Sequence, residues 1–122
     1  MMVNWFEIPV LDMKRAKLFY EAIFDISITI QDFGGLQMGL FPNSSNQQGA
    51  SGSLMKHEAY MPSKTQGALL YFSLTDMTNT LNLVTKAGGT ILKMKTEIAP
   101  GQGFMALFVD TEGNRIGCRS QD

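Results

Sequence analysis

The chain has 122 residues, of which 44% are apolar and 17% charged, which suits one folded globule and excludes a disordered tail. Ten Lys plus Arg against eleven Asp plus Glu give a net charge of -1, so no basic field draws the chain to nucleic acid or an anionic membrane surface. The one Cys, Cys118, excludes an intramolecular disulfide and a Cys-based zinc site, and the one His, His57, excludes chemistry that needs two imidazoles from a single chain.

The first five residues, Met1 to Trp5, lack a basic region followed by an apolar one, and no apolar run approaches the ~20 residues of a membrane span. A cytoplasmic setting is therefore expected. Residues 5–13 (Trp-Phe-Glu-Ile-Pro-Val-Leu-Asp-Met) read as a strand ending in Asp12-Met13, and 64 positions later Leu69-Leu70-Tyr71-Phe72-Ser73-Leu74-Thr75-Asp76-Met77 repeats the pattern. Asp is a favoured helix N-cap because its carboxylate accepts orphan amides of the first turn. A helical pattern follows each. In the first, Met13, Ala16, Phe19, Tyr20 and Ile23 recur at i, i+3, i+4 spacing; in the second, Met77, Leu81, Leu83, Val84 and Ala87 do so and Gly88-Gly89 supplies the stop.

Three short strands are predicted after each helix: 26–31, 36–41 and about 52–56, then 90–94, 104–110 and 115–119. Phe33-Gly34-Gly35, the polar stretch 42–49, residues 99–103 and Thr111-Glu112-Gly113-Asn114 supply the turns. The chain is thus predicted to be a single α+β domain of two tandem βαβββ modules. The first covers about 3–57 and the second about 67–120, with a connector over about 58–66. Two such modules are expected to form an incompletely closed, eight-stranded barrel-like sheet with the helices outside.

Phe6-Glu7-Ile8-Pro9-Val10 through Asp12, Phe19-Tyr20-Glu21, Gly88-Gly89 and Asp110-Thr111-Glu112-Gly113-Asn114-Arg115-Ile116-Gly117 together resemble the glyoxalase/bleomycin-resistance/extradiol-dioxygenase group, the vicinal oxygen chelate superfamily. The resemblance runs from about Trp5 to Arg119 and is strongest to the bacterial branch related to lactoylglutathione lyase. In metal-dependent members it implies a divalent ion that chelates vicinal oxygens of the substrate and acts as a Lewis acid. Carried over residue by residue, the ligand positions fall on Trp5, Leu69 and Gly117, with the fourth near Gly52. None of these side chains donates a lone pair to a metal. No metal or other cofactor is therefore expected.

An indole and an aliphatic chain at ligand positions give a mostly apolar floor of the kind that suits a small organic molecule. Strand alternation puts Glu7 on the face of Trp5, and Tyr71 on the face of Leu69. The candidate ligand-binding set is Trp5, Glu7, Leu69, Tyr71 and Gly117, with Glu7 the candidate catalytic acid or base. The plainer alternatives make Trp5 a core residue and Glu7 a structural carboxylate on a central strand, paired to a turn or to Arg115 or Arg119. A displaced metal site of Glu7 with His57 has two ligands where three are customary. Cys118 alternates away from Gly117 and reads as buried core.

Three functions follow. The first is a metal-independent binder that sequesters a small organic molecule, acting as a homodimer because exposed sheet edges need cover. The second is a lyase or isomerase using Glu7 as base. The third is a structural or regulatory domain whose cleft is filled by Trp5, Phe104 and Phe108.

Overall fold

In the computed structural model of the chain, which describes residues 1–43 and 49–122, both Asp residues read as caps do cap helices. Asp12 Oδ1 accepts the Arg15 amide at 3.0 Å, and Asp76 Oδ1 accepts the Asn79 amide at 3.0 Å. The helices they start are α1 (Met13–Phe24) and α2 (Met77–Lys86). Met13, Ala16, Phe19, Tyr20 and Ile23 are the buried face of α1, as the spacing predicts. In α2 the buried face is Met77, Thr80, Leu81 and Val84. Leu83 and Ala87 are only half-buried, and Thr80 takes a buried place by satisfying its hydroxyl on the Asp76 carbonyl at 3.2 Å.

The strands are β1 (Trp5–Pro9), β2 (Thr29–Phe33), β3 (Leu36–Leu40), β4 (Ser51–Lys56), β5 (Leu70–Ser73), β6 (Thr90–Glu97), β7 (Phe104–Val109) and β8 (Arg115–Ser120). The chain divides into two compact units, Met1–Pro62 and Ser63–Asp122, each a βαβββ module. Each has a four-stranded mixed sheet, ordered β1-β4-β3-β2 in one and β5-β8-β7-β6 in the other. The outer pairs β1–β4 and β5–β8 are parallel, and the remaining pairs antiparallel. Of the polar stretch 42–49, residues 44–48 lie outside the described residues.

Of the six strands predicted after the helices, two differ from their predicted bounds by more than one residue. The strand expected at 26–31 begins instead at Thr29, because the residues before it close α1. Asp25 turns the chain with φ 53°, and the Glu21 carboxylate accepts the Ile28 amide at 2.8 Å. β6 runs to Glu97, three residues beyond the expected end, and two register shifts against β7 accommodate the extra length. These irregularities bend an edge strand, which discourages further pairing.

In the first unit α1 packs on β3 and β4, where Gly39 lets Met13, Ile28 and Leu54 close over the sheet. Phe6, Phe41 and Tyr20 complete this layer, with ring centroids 5.4 and 5.7 Å apart in the Phe6–Phe41 and Tyr20–Phe41 pairs. In the second unit α2 packs on β6 and β8, and Ala106, Phe108, Ile116 and Cys118 are buried. Burial pushes the Cys118 thiol up to about 12, so it is an inert core group, as its alternation indicates.

The β7–β8 turn is held by one carboxylate. Asp110 Oδ1 accepts the amides of Glu112 and Asn114, each at 2.9 Å, and its Oδ2 accepts Asn114 Nδ2 at 3.1 Å. Asn114 Oδ1 in turn accepts the Ser63 amide at 3.3 Å, tying the turn to the start of its own unit. The Asp-x-x-Gly-Asn signature is thus a folding device. Asp110→Ala leaves buried amides unsatisfied and is expected to cost about 1–3 kcal/mol in chemical denaturation, against about 1 kcal/mol for removing the exposed cap in Asp12→Ala.

Glu21 supplies a pH dependence. Hydrogen bonds from Lys17, at 2.8 Å, and from the Ile28 amide hold its carboxyl below the usual carboxylate value. A depressed folded pKa stabilises above the unfolded value and is lost as pH falls through the folded one. Glu21→Gln is therefore expected to lower the melting temperature at neutral pH and to make its decline below pH 4.5 shallower.

Candidate functional site

Strand alternation sends Phe6 and Ile8 toward α1 and leaves Trp5 and Glu7 on the other face of the sheet. β1 is an edge strand, not the central one expected, and Trp5 is 42% exposed, so the indole is not core. Residues opposite one another in a parallel pair share a face. The β1–β4 register therefore adds Ser51 beside Trp5 and Ser53 beside Glu7, while β3 brings Leu40 and Met38 to the same side.

Glu7 is the centre of a small polar and aromatic group. Its Oε1 accepts the Tyr60 hydroxyl at 3.0 Å, and its Oε2 accepts the Trp5 indole N–H at 3.4 Å. The partner is thus a tyrosine of the connector rather than Arg115 or Arg119. Tyr60 is itself set by a turn in which its amide donates to the His57 carbonyl at 2.9 Å. His57 Nδ1 accepts the Ala59 amide at 3.1 Å, which leaves Nε2 as the ring's donor. The imidazole meets the Tyr60 ring edge-on, centroids 6.5 Å apart. Trp5, Glu7, Tyr60 and His57 therefore form one chain of contacts.

Sequence reasoning missed Tyr60. The available signal was its aromatic ring beside the only His of the chain, in a connector read as a spacer.

The other candidate residues belong to the second unit. Leu69 is half-buried just before β5, and Tyr71 on β5 is 45% exposed. Tyr71 lies opposite Gly117 in the β5–β8 pair, its ring occupying the space beside that glycine. A Cβ at position 117 would sit 2.6 Å from the Tyr71 ring. Phe108, one of the residues considered for filling the cleft, is fully buried opposite Ile116 in the core, and Phe104 lies beneath the Lys95 ammonium, 4.7 Å from its centroid.

The register also corrects the fourth expected ligand position. Glu7 pairs with Ser53 as Tyr71 pairs with Gly117, so the counterpart of Gly117 is Ser53, 64 residues earlier, and not Gly52. Gly52 faces the α1 side under the Phe6 ring. Trp5, Ser53, Leu69 and Gly117 do not fit a divalent ion. The indole N–H is a donor only, leucine and glycine bring no side-chain ligand atom, and Ser53 offers one neutral, buried hydroxyl, donating to Met55 Sδ at 3.0 Å, which is too little to hold an ion. Among the described residues no three His, Cys, Asp or Glu side chains stand together as a metal site. An open hollow of about 450 Å³ lies elsewhere, between the start of α1 and Ile30, Gln37 and Lys56.

Two outcomes are expected from this geometry. The hydrogen bond to the Glu7 carboxylate raises the Tyr60 phenol above its ordinary value of 10.0, because a neutral donor is favoured beside an anion. Glu7→Gln is expected to bring the Tyr60 phenol back toward its ordinary value, read as a lowered midpoint for the one tyrosine signal that Tyr60→Phe removes. Gly117→Ala forces the Tyr71 ring off the sheet and is expected to cost about 1–3 kcal/mol by thermal or chemical denaturation.

Residues 2–117 match the family model described as the Glyoxalase/Bleomycin resistance protein/Dioxygenase superfamily. A glyoxylase-like domain-containing protein of Didymella fabae is 30% identical over 117 residues, covering 92% of this chain and 88% of its own. Among solved structures, a glyoxylase/bleomycin resistance protein/dioxygenase domain from a Frankia species superposes with a TM-score of 0.75 at 18% identity, over 100% of this chain and 98% of that one. The antibiotic binding protein TnmS3 of a Streptomyces species superposes with a TM-score of 0.72 at 21% identity, over 100% and 97% of the two chains. With the family model spanning residues 2–117 and a relative 30% identical over most of both chains, the chain belongs to the glyoxalase/bleomycin resistance/dioxygenase superfamily.

Proposed function

We propose that this protein binds and sequesters a small organic molecule without a metal, acting in the cytoplasm as a homodimer. The observation that carries the reading is the donor set. At the positions where metal-dependent relatives hold an ion stand an indole, a single neutral hydroxyl, an aliphatic chain and a glycine under a tyrosine ring. Such a set gives a Lewis acid nowhere to sit, but it offers apolar and aromatic surface with a few polar groups, the usual make-up of an organic-ligand site. That TnmS3 is an antibiotic binding protein on the same fold supports the choice.

In the first unit Trp5 is the residue through which the ligand is read, with Glu7 as the charged contact; Tyr71 is the aromatic surface that the second unit offers. The catalytic alternative, with Glu7 as base, has no observation of its own, since the two hydrogen bonds to the carboxylate suit a binding contact equally well. The homodimer draws support from the edge strands. β2 exposes Ile30 and Phe33, and β6 exposes Leu92 and Met94, apolar surface that an isolated chain leaves in water.

Trp5 is the only indole, so its fluorescence reports on its own face alone. Titration with a panel of antibiotics and aromatic metabolites is expected to quench it saturably for at least one compound, with micromolar or tighter affinity. Elemental analysis after incubation with Ni, Zn, Fe or Mn is expected to find far less than one ion per chain. One tightly held ion per chain defeats the metal-independent reading. Light scattering at micromolar concentration is expected to give twice the 13.5 kDa chain mass.

A further inference from the structure

We infer that the hollow at the start of α1 is a binding site for a small organic anion, a carboxylate carried on an aliphatic chain. The site is separate from the proposed ligand face and lies on the other side of the same sheet. Lys56 pairs with Gln37, and Leu54, on the same face two residues earlier, pairs with Gly39, where Met13 of α1 closes over the strand. Trp5 and Glu7 are turned away from that side. The hollow thus forms within one unit, where the first turn of α1 meets β2, β3 and β4. Its volume of about 450 Å³ falls in the roughly 300–1,000 Å³ range of small-molecule sites.

Its lining has two parts. Leu11, Met13 and Ile30 supply an apolar wall, and Leu11 and Ile30 are 54% and 41% exposed, so the fold leaves part of this wall in water. Beside it stand two cations from different elements, Lys14 on α1 and Lys56 at the end of β4, with Gln37 opposite Lys56 in the β3–β4 pair. One turn further along α1, Lys17 is engaged by Glu21 at 2.8 Å. Among the described residues neither Lys14 nor Lys56 has an ion pair or a side-chain hydrogen bond. An ammonium is a compact charge with three donors on a flexible stem, which receives a carboxylate without demanding one orientation. Asp12 also borders the hollow, and its Oδ1 is occupied by the Arg15 amide. Two ammonium groups against that carboxylate leave the lining positive in a chain whose net charge is -1. The charges select an anion, and the wall selects one with a hydrocarbon body.

The test uses the full chain in its own assembly state, labelled with nitrogen-15 and followed by amide chemical shifts. Hexanoate and octanoate are the probes, hexanamide is the uncharged copy of hexanoate, and inorganic phosphate is the charge without the chain. The amides of Leu11, Lys14, Ile30 and Gln37 are expected to shift saturably with octanoate, at millimolar affinity or tighter, while those of Trp5 and Glu7 stay in place. Exposed ammonium–carboxylate contacts are individually weak, so hexanoate is expected to bind about fivefold more tightly than hexanamide, a preference that added salt shrinks. Octanoate is expected to bind severalfold more tightly than hexanoate, because its extra methylenes reach the wall. Lys14→Gln and Lys56→Gln combined are expected to remove the preference for hexanoate; both side chains are exposed, so the circular dichroism spectrum is expected to stay unchanged. Equal binding of hexanoate and hexanamide overturns the anion assignment, as does a preference that survives the double substitution. Phosphate binding as tight as that of octanoate overturns the aliphatic body. Absence of saturable shifts around the hollow, or shifts confined to Trp5 and Glu7, overturns the site and leaves the proposed ligand face standing. Failure of every compound to quench Trp5 leaves the hollow untouched, so the two readings fail separately.

Discussion

The parallel pairing of the first and last strand of each unit is the constraint on which the rest of the structure depends. Parallel neighbours cannot be joined by a hairpin, so the chain must cross over between them, and here the crossover consists of a helix and two further strands. The helix covers one face of the sheet. Residues opposite one another in the parallel pair then share a face, which decides what meets what. β1 and β4 bring Trp5 beside Ser51 and Glu7 beside Ser53; β5 and β8 bring Tyr71 onto Gly117 and Ser73 beside Arg119. The contents of the candidate site follow from this register, and so does its departure from a metal centre.

The two units use equivalent positions differently. In the first, Glu7 and Ser53 are polar, and the carboxylate gathers the indole and the phenol around itself. In the second, Tyr71 stands where Glu7 stands, and its ring occupies the space that a side chain at position 117 would need. A histidine or glutamate cannot be restored at 117 without first moving that ring. Loss of ligand atoms in the second unit is therefore built into its packing. On the Trp5 face of the first unit a carboxylate stands hydrogen-bonded to two aromatic neighbours, and the second unit has a tyrosine at the equivalent position.

Much of this was legible in the sequence, for identifiable reasons. Both helices could be read because a capping Asp, apolar residues at three and four spacings and a terminal turn agree with one another, and the buried face of α1 matches residue for residue. The 64-residue interval exposed the repeated βαβββ order, and applied to Gly117 it also returns Ser53, which a count through the 42–49 stretch put at Gly52. The rest depended on contacts that pattern cannot carry. The shift of β2 comes from a carboxylate on the preceding helix reaching forward seven residues to the Ile28 amide. Trp5 reads as core because aromatic residues in strands usually are, yet it is on an edge strand and turned away from α1. The Tyr60–Glu7 bond spans 53 positions, and no local rule links a connector tyrosine to the first strand.

That bond also bears on why the group exists. A hydrogen bond at a solvent-exposed carboxylate adds only about 0.5–1.5 kcal/mol to stability, and ordering the side chains that make it offsets part of that gain. The second unit holds its own start with buried bonds instead, through Asp110 and Asn114 reaching Ser63, where unsatisfied amides would be costly. Folding therefore depends on the Asp110 turn far more than on Glu7. What the Glu7 bonds do contribute is orientation: they hold an indole, a phenol and a carboxylate in one arrangement. In general, preorganisation of that kind lowers the entropy that a binding event costs, an effect that appears in affinity and not in the stability of an empty protein.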